Sequence, residues 1–236
     1  MPQRRTASLL PGIVALVVAL TAAAVGAQTR VAAPEETAAP REAPGEFQFV
    51  RLAYNSNGMS RGYGGWGRRE MWQTDWPDAE HHSTRGVSRL TRIAAAGQGH
   101  ILSAGDETIF DYPWIYAVEV GNWSLSSGEA KNLRDYLLRG GFLMVDDFHG
   151  PFEWTTFLAS MEKVFPDRPI VDIEEDNAAF HTVYDLDHRI QIPSRMYSYT
   201  GLTWEKGGMT PHWRGIFDDE GRMMVAINHN MDIGDA

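Results

Sequence analysis

Hydrophobic and polar positions alternate across residues 47–54 (FQFVRLAY), in a run rich in aromatic and β-branched side chains, which predicts a first strand. The pattern then breaks. Residues 55–74 are glycine-rich and carry Tyr63, Trp66 and Trp72 without periodicity. A loop of that length in a compact domain is often functional. Asp75 suits a helix cap, with Pro77 and Asp78 in the first turn. Val87, Leu90, Ile93 and Ala94 follow at helical spacing, and Gly86 predicts a bend or split. Residues 114–120 (WIYAVEV) predict a second strand. Ser126 and Glu129 have capping-box spacing, and Ala130, Leu133 and Leu137 form the buried stripe of a helix that Gly140-Gly141 stops.

Residues 142–145 (FLMV) read as a short strand buried on both faces. Pro151 opens another helix, through Trp154, Leu158 and Met161 to Phe165. Residues 170–173 predict a further strand. Residues 213–217 and 222–227 flank Asp218-Asp219-Glu220-Gly221, a hairpin signal. Strand and helix alternate through most of this region. That predicts an α/β domain over residues 47–236, with a mostly parallel sheet, helices on both faces and a C-terminal hairpin. No repeat interrupts it.

The N-terminus has a different pattern. Arg4 and Arg5 precede an apolar run from Leu9 to Val25, and Val25-Gly26-Ala27 offers small residues at a signal-peptidase site. Residues 1–27 therefore read as a secretory signal, and the mature protein is expected in the periplasm or outside the cell. The apolar run is at the short end for a membrane span, which leaves an uncleaved anchor as the alternative. Thr6-Ala7-Ser8 after the arginine pair match a twin-arginine signal poorly. Residues 28–46 are rich in Ala, Pro and Glu without an aromatic residue, and predict a disordered linker.

Composition narrows the chemistry. The chain has no cysteine, which excludes disulfides, thiolate ligands and cysteine nucleophiles. Residues 1–27 hold two of the 21 basic residues and none of the 31 acidic ones, so the remainder carries −12. Such a balance argues against a nucleic-acid partner and suits solubility or cation binding.

Asp146-Asp147-Phe148-His149 is the sharpest chemical feature. Two carboxylates and an imidazole emerge where a buried strand ends, the place where ligands bind in parallel α/β sheets. Adjacent carboxylates repel, so one is raised in pKa or a cation neutralises the pair. Oxygen and nitrogen donors without sulfur suit Mg, Ca, Mn or Zn. The bland alternative is that one aspartate caps the Pro151 helix and the other pairs with an arginine. His229 and Asp232 also follow a predicted strand, and face Asp147 and His149 if that strand lies close by. Three short motifs carry less. Gly62 to Gly67 matches GxGxxG but sits far from a strand-to-helix turn. Gly58 to Gly62 matches GxSxG without the strand before it and helix after it that a nucleophile elbow needs, and Ser160 to Lys163 matches SxxK inside a helix. A flap carrying Tyr63 and Trp66 is the better reading of the glycine-rich loop.

Several segments resemble DUF4159, a bacterial family of unknown function. They include Asp75-Trp76-Pro77-Asp78, Tyr112-Pro113-Trp114-Ile115-Tyr116, Leu133 to Phe142, Val145 to Gly150, Val164 to Arg168, Gly221-Arg222 and His229 to Ala236. The resemblance implies a class I glutamine amidotransferase-like fold, a flavodoxin-like three-layer sandwich. It implies no activity, but it does suggest association with membrane-anchored envelope proteins. The family pattern continues past Ala236 with a helical stretch, so a truncated chain with one uncovered apolar sheet face is expected. Enzymes of that fold use a cysteine nucleophile, which this chain lacks.

The reading that follows is a non-catalytic, envelope-facing binding module. Its ligand site is lined by Asp146, Asp147, His149, His229 and Asp232, with Tyr63 and Trp66 on the flap. The alternative is a metal-dependent hydrolase, with a divalent cation on Asp147, His149 and Asp232 and with Asp146 as general base. A third reading is a structural partner domain that docks through the aromatic loop.

Overall fold

A computed structural model describes residues 46–56, 70–186 and 188–234. The signal, nearly all of the linker, Tyr63, Trp66 and the GxGxxG and GxSxG motifs lie outside the described residues. Seven strands form one sheet: β1 (Val50–Ala53), β3 (His100–Ser103), β4 (Trp114–Val118), β6 (Phe142–Phe148), β7 (Val171–Asp172), β8 (His212–Phe217) and β9 (Met223–His229). Their order is β3-β1-β4-β6-β9-β8-β7. The first five in that order run parallel, and β8 and β7 join antiparallel. Two short strands, β2 (Asn55–Ser56) and β5 (Trp123–Ser124), pair separately. The domain is therefore α/β with a mostly parallel, mixed sheet.

The helices are α1 (Asp78–Leu90), α2 (Ser127–Leu138), α3 (Gly150–Val164) and the short α4 (Tyr197–Thr200). Ser126 and Glu129 form the expected reciprocal capping box of α2. Successive side chains of a strand point to opposite faces. Ile115, Ala117, Leu143 and Val145 thus meet Leu133 and Leu137 of α2 and Phe157 and Met161 of α3 in the main core. Phe49, Tyr116 and Val118 form a smaller cluster on the other face, with Phe47, Trp114 and Met144 against it. Ala79 and Val87 of α1 line a groove over that second face. No helix among the described residues is long and apolar enough to cross a membrane.

Local expectations differ from the structure at several places, and β1 and β4 are shorter than the runs 47–54 and 114–120 that predict them. The α1 helix runs through Gly86 without a split and stops at Leu90, so Ile93 and Ala94 lie beyond it. The edge strand β3 is not anticipated by the pattern, because its mostly exposed residues carry no two-residue alternation. The β6 strand extends past the apolar run to include Asp146 and Asp147, since pairing with β9 continues to Phe148 across a register shift.

Candidate functional site

That register shift builds the site. Asp147 has φ 50°, in the left-handed region that non-glycine residues seldom adopt. Its backbone N–H donates to the Met231 carbonyl (3.1 Å), and the Asn230 N–H donates to the Phe148 carbonyl (3.0 Å). The end of β6 is thereby stitched to the segment after β9. A bulge at a strand end re-aims a side chain, and here it turns the Asp147 carboxylate toward Asp232. Asp75 arrives from the other side, just before α1, with φ 56°. Single carboxylate oxygens of Asp75, Asp147 and Asp232 all lie within 4.8 Å of one another. Asp147 and Asp232 are buried and Asp75 is half-buried.

Among the described residues, the non-glycine positions with positive φ are Asp75, Glu119, Asp147, Lys206 and Asn230. All five belong to this end of the sheet. The Lys206 ammonium pairs with Glu153 (2.7 Å) and approaches Glu119 (3.7 Å), and Glu153 also accepts the His149 backbone N–H (2.6 Å). The Asn230 amide accepts the Gly150 N–H (2.8 Å) and donates to the Thr210 carbonyl (2.7 Å). Each left-handed residue costs of order 1–3 kcal/mol, and such strain gathers where a site requires it.

The remaining sequence candidates take distinct places. Asp146 is fully buried, and its Oδ2 accepts the Ile233 N–H (2.8 Å), the Gly234 N–H (3.1 Å) and the Tyr116 hydroxyl (3.3 Å). It anchors the loop that carries Asp232. Burial, with Asp147 next, pushes the Asp146 carboxyl up to about 8. Burial and the nearby Asp75 also raise Asp147, against the pull of Lys206. His149 Nε2 lies 3.0 Å from Asp147 Oδ1, beside the three-oxygen group rather than within it. Burial, then Lys206, lowers the His149 pKa, and the contact of its Nε2 with Oδ1 orients the Asp147 carboxyl. His229 stands apart. Its ring packs against Phe148 and Trp154, and its Nε2 faces the Gly150 carbonyl (3.2 Å). Burial lowers its pKa to about 4. Tyr63 and Trp66 lie outside the described residues.

Three participants are not legible as such in the sequence. Asp75 reads as a cap, but the N-cap of α1 is Pro77, and the Asp75 carbonyl instead accepts the Ala79 N–H (2.9 Å). Its left-handed backbone frees the carboxylate for the cluster. The cap alternative for Asp146 or Asp147 is not realised either, because the N-cap of α3 is His149, without a side-chain cap bond. Lys206 and Glu119 carry no sequence signal, since each sits in the site only through its loop's path.

Three carboxylates without sulfur or imidazole form a hard donor set, which fits Mg, Ca or Mn better than Zn. Fold and site together define an α/β domain with a carboxylate cluster at the carboxyl ends of its parallel strands. The chain belongs to DUF4159, a domain family of unknown function, whose model matches residues 48–236. Among curated proteins, no sequence match was found.

Proposed function

We propose that this protein is an exported, envelope-associated module that binds a divalent cation on Asp75, Asp147 and Asp232 and uses that site to hold a ligand or partner, without catalysis. The observation that carries the reading is the convergence of three carboxylates within 4.8 Å, two of them on left-handed backbone. Like charges held that close raise one another's pKa unless a cation neutralises them. Asp146 Oδ1, fully buried next to Asp147, has no hydrogen-bond partner among the described residues. The order of the five parallel strands, second-first-third-fourth-fifth along the chain, supports the flavodoxin-like, amidotransferase-like sandwich. In open sheets of that kind ligands sit where these aspartates are.

The hydrolase alternative needs a base on the water of the ion. Asp146 accepts three hydrogen bonds on Oδ2 and is held largely protonated at neutral pH by burial, while His149 is committed to Asp147. Both facts favour binding over hydrolysis. Calorimetric titration of chelator-treated protein with Mg, Ca and Mn is expected to show one ion per chain. No heat and no binding with any of the three would overturn the proposal.

Export rests on the Arg4-Arg5 pair, the Leu9-to-Val25 apolar run and the Val25-Gly26-Ala27 site. The mass of the protein recovered from the periplasm is expected to correspond to a chain that begins at Gln28. A chain retaining Met1 in the membrane fraction would identify an anchor instead. The negative balance of the mature chain favours envelope proteins and small ligands over nucleic acid as partners.

A further inference from the structure

Arg51 lies in β1, is fully buried and, being itself a cation, is no ligand for a metal ion. Its guanidinium nevertheless brackets Asp75 from both sides. Nη1 donates to the carbonyls of Trp72 (3.0 Å) and Thr74 (2.8 Å), the latter immediately before Asp75. Nε and Nη2 grip the two carboxylate oxygens of Glu80, in the first turns of α1, with Nη2–Oε2 at 3.0 Å. The guanidinium carbon stands 5.3 Å from the Tyr116 ring, and the Tyr116 hydroxyl bonds Asp146. One side chain thus ties the central sheet to the backbone entering and leaving Asp75.

A stabilising role alone accounts poorly for this arrangement. Burying a paired arginine and glutamate roughly breaks even against apolar side chains of the same volume. What an arginine uniquely supplies is a rigid planar fork that fixes several acceptors at once, which lysine cannot do. The acceptors fixed here are those that set the left-handed turn at Asp75, whose φ is 56°.

We infer that Arg51, clamped by Glu80, is a positioning residue that holds Asp75 in ligating geometry. The inference deepens the proposed function and rests on it. Outer partners of metal ligands typically contribute 10–100-fold to affinity when removed.

The test measures Mn2+ affinity and the Mn2+ paramagnetic resonance spectrum for wild type, for Arg51→Lys and for the apolar pair Arg51→Met with Glu80→Met. The double variant removes both buried charges together, so it is expected to fold. Both variants are expected to bind Mn2+ at least about tenfold more weakly, with a changed spectrum. A double variant that binds Mn2+ as tightly as wild type, with the same spectrum, would make Arg51 and Glu80 purely structural while leaving the cation site in place. Wild-type protein that binds no Mn2+ overturns the cation site itself, and this inference with it.

Discussion

Replacing Asp147 with asparagine is expected to stabilise the cation-free protein and to abolish its response to Mg, Ca or Mn. In the cation-free fold, burial and the adjacent Asp75 make the ionised Asp147 carboxylate unfavourable. Asparagine keeps the shape and removes the charge, so the midpoint of unfolding in chelator should rise. Wild type regains the advantage when the ion is supplied. Binding to the folded state alone contributes about 2.7 kcal/mol at a hundredfold excess over the dissociation constant. The two melting curves should therefore cross in order between chelator and saturating Mn2+. An asparagine variant that responds to the ion like wild type would remove Asp147 from the site.

The same charges fix the sign of the pH dependence. Asp146 has a folded pKa of about 8, above the ordinary carboxylate value of about 3.9 in the unfolded chain. Below pH 4 both states hold the proton and the group is neutral in the balance. Between about 4 and 8 the unfolded chain releases a proton that the fold retains, so cation-free stability falls as pH rises, by at most about 1.4 kcal/mol per pH unit for each such proton. Above about 8 the effect levels off. Cation affinity runs in the opposite direction, rising with pH because the raised Asp147 carboxyl must lose its proton to ligate.

Gly150→Ala is expected to lower stability by roughly 2–5 kcal/mol, the sum of about 1–2 for a left-handed alanine and about 1–3 for overpacking. Gly150 has φ +71°, and a Cβ there would lie 2.0 Å from the Lys206 carbonyl oxygen. That oxygen is backbone and cannot rotate aside. The segment that carries Lys206 would have to lift, drawing its ammonium from Glu153 and Glu119. Gly140→Ala is the control. Gly140 also has positive φ, +112°, but a Cβ there would meet nothing within 4 Å, so only the conformational cost applies. Equal losses for the two variants in denaturant titrations would mean that the Lys206 segment does not rest on Gly150.

Much of the architecture follows from local pattern alone. Alternation at 47–54 and 114–120, the Ser126–Glu129 box, Pro151 at a helix start and the hairpin about Asp218 to Gly221 each depend on neighbours within a few residues. Each reappears as β1, β4, α2, α3 and the β8–β9 pair. The chemistry of Asp146-Asp147-His149 is also visible, because a buried apolar strand that ends in two carboxylates is locally anomalous.

The site itself is decided by tertiary structure. Asp75, Asp147 and Asp232 are far apart in the chain and meet only because β1, β6 and β9 run parallel in one sheet. Whether His149 ligates or orients depends on the left-handed turn at Asp147, which no side-chain pattern encodes for a non-glycine residue. In the sequence, His229 reads together with Asp232 as facing Asp147 and His149. The β9 pleat instead sends its ring toward Phe148 and Trp154, while the chain beyond Asn230 turns Asp232 toward the cluster. Periodicity reports which face of an element is buried. It is silent on which loops then converge, because that depends on strand order and on backbone turns held by contacts tens of residues away.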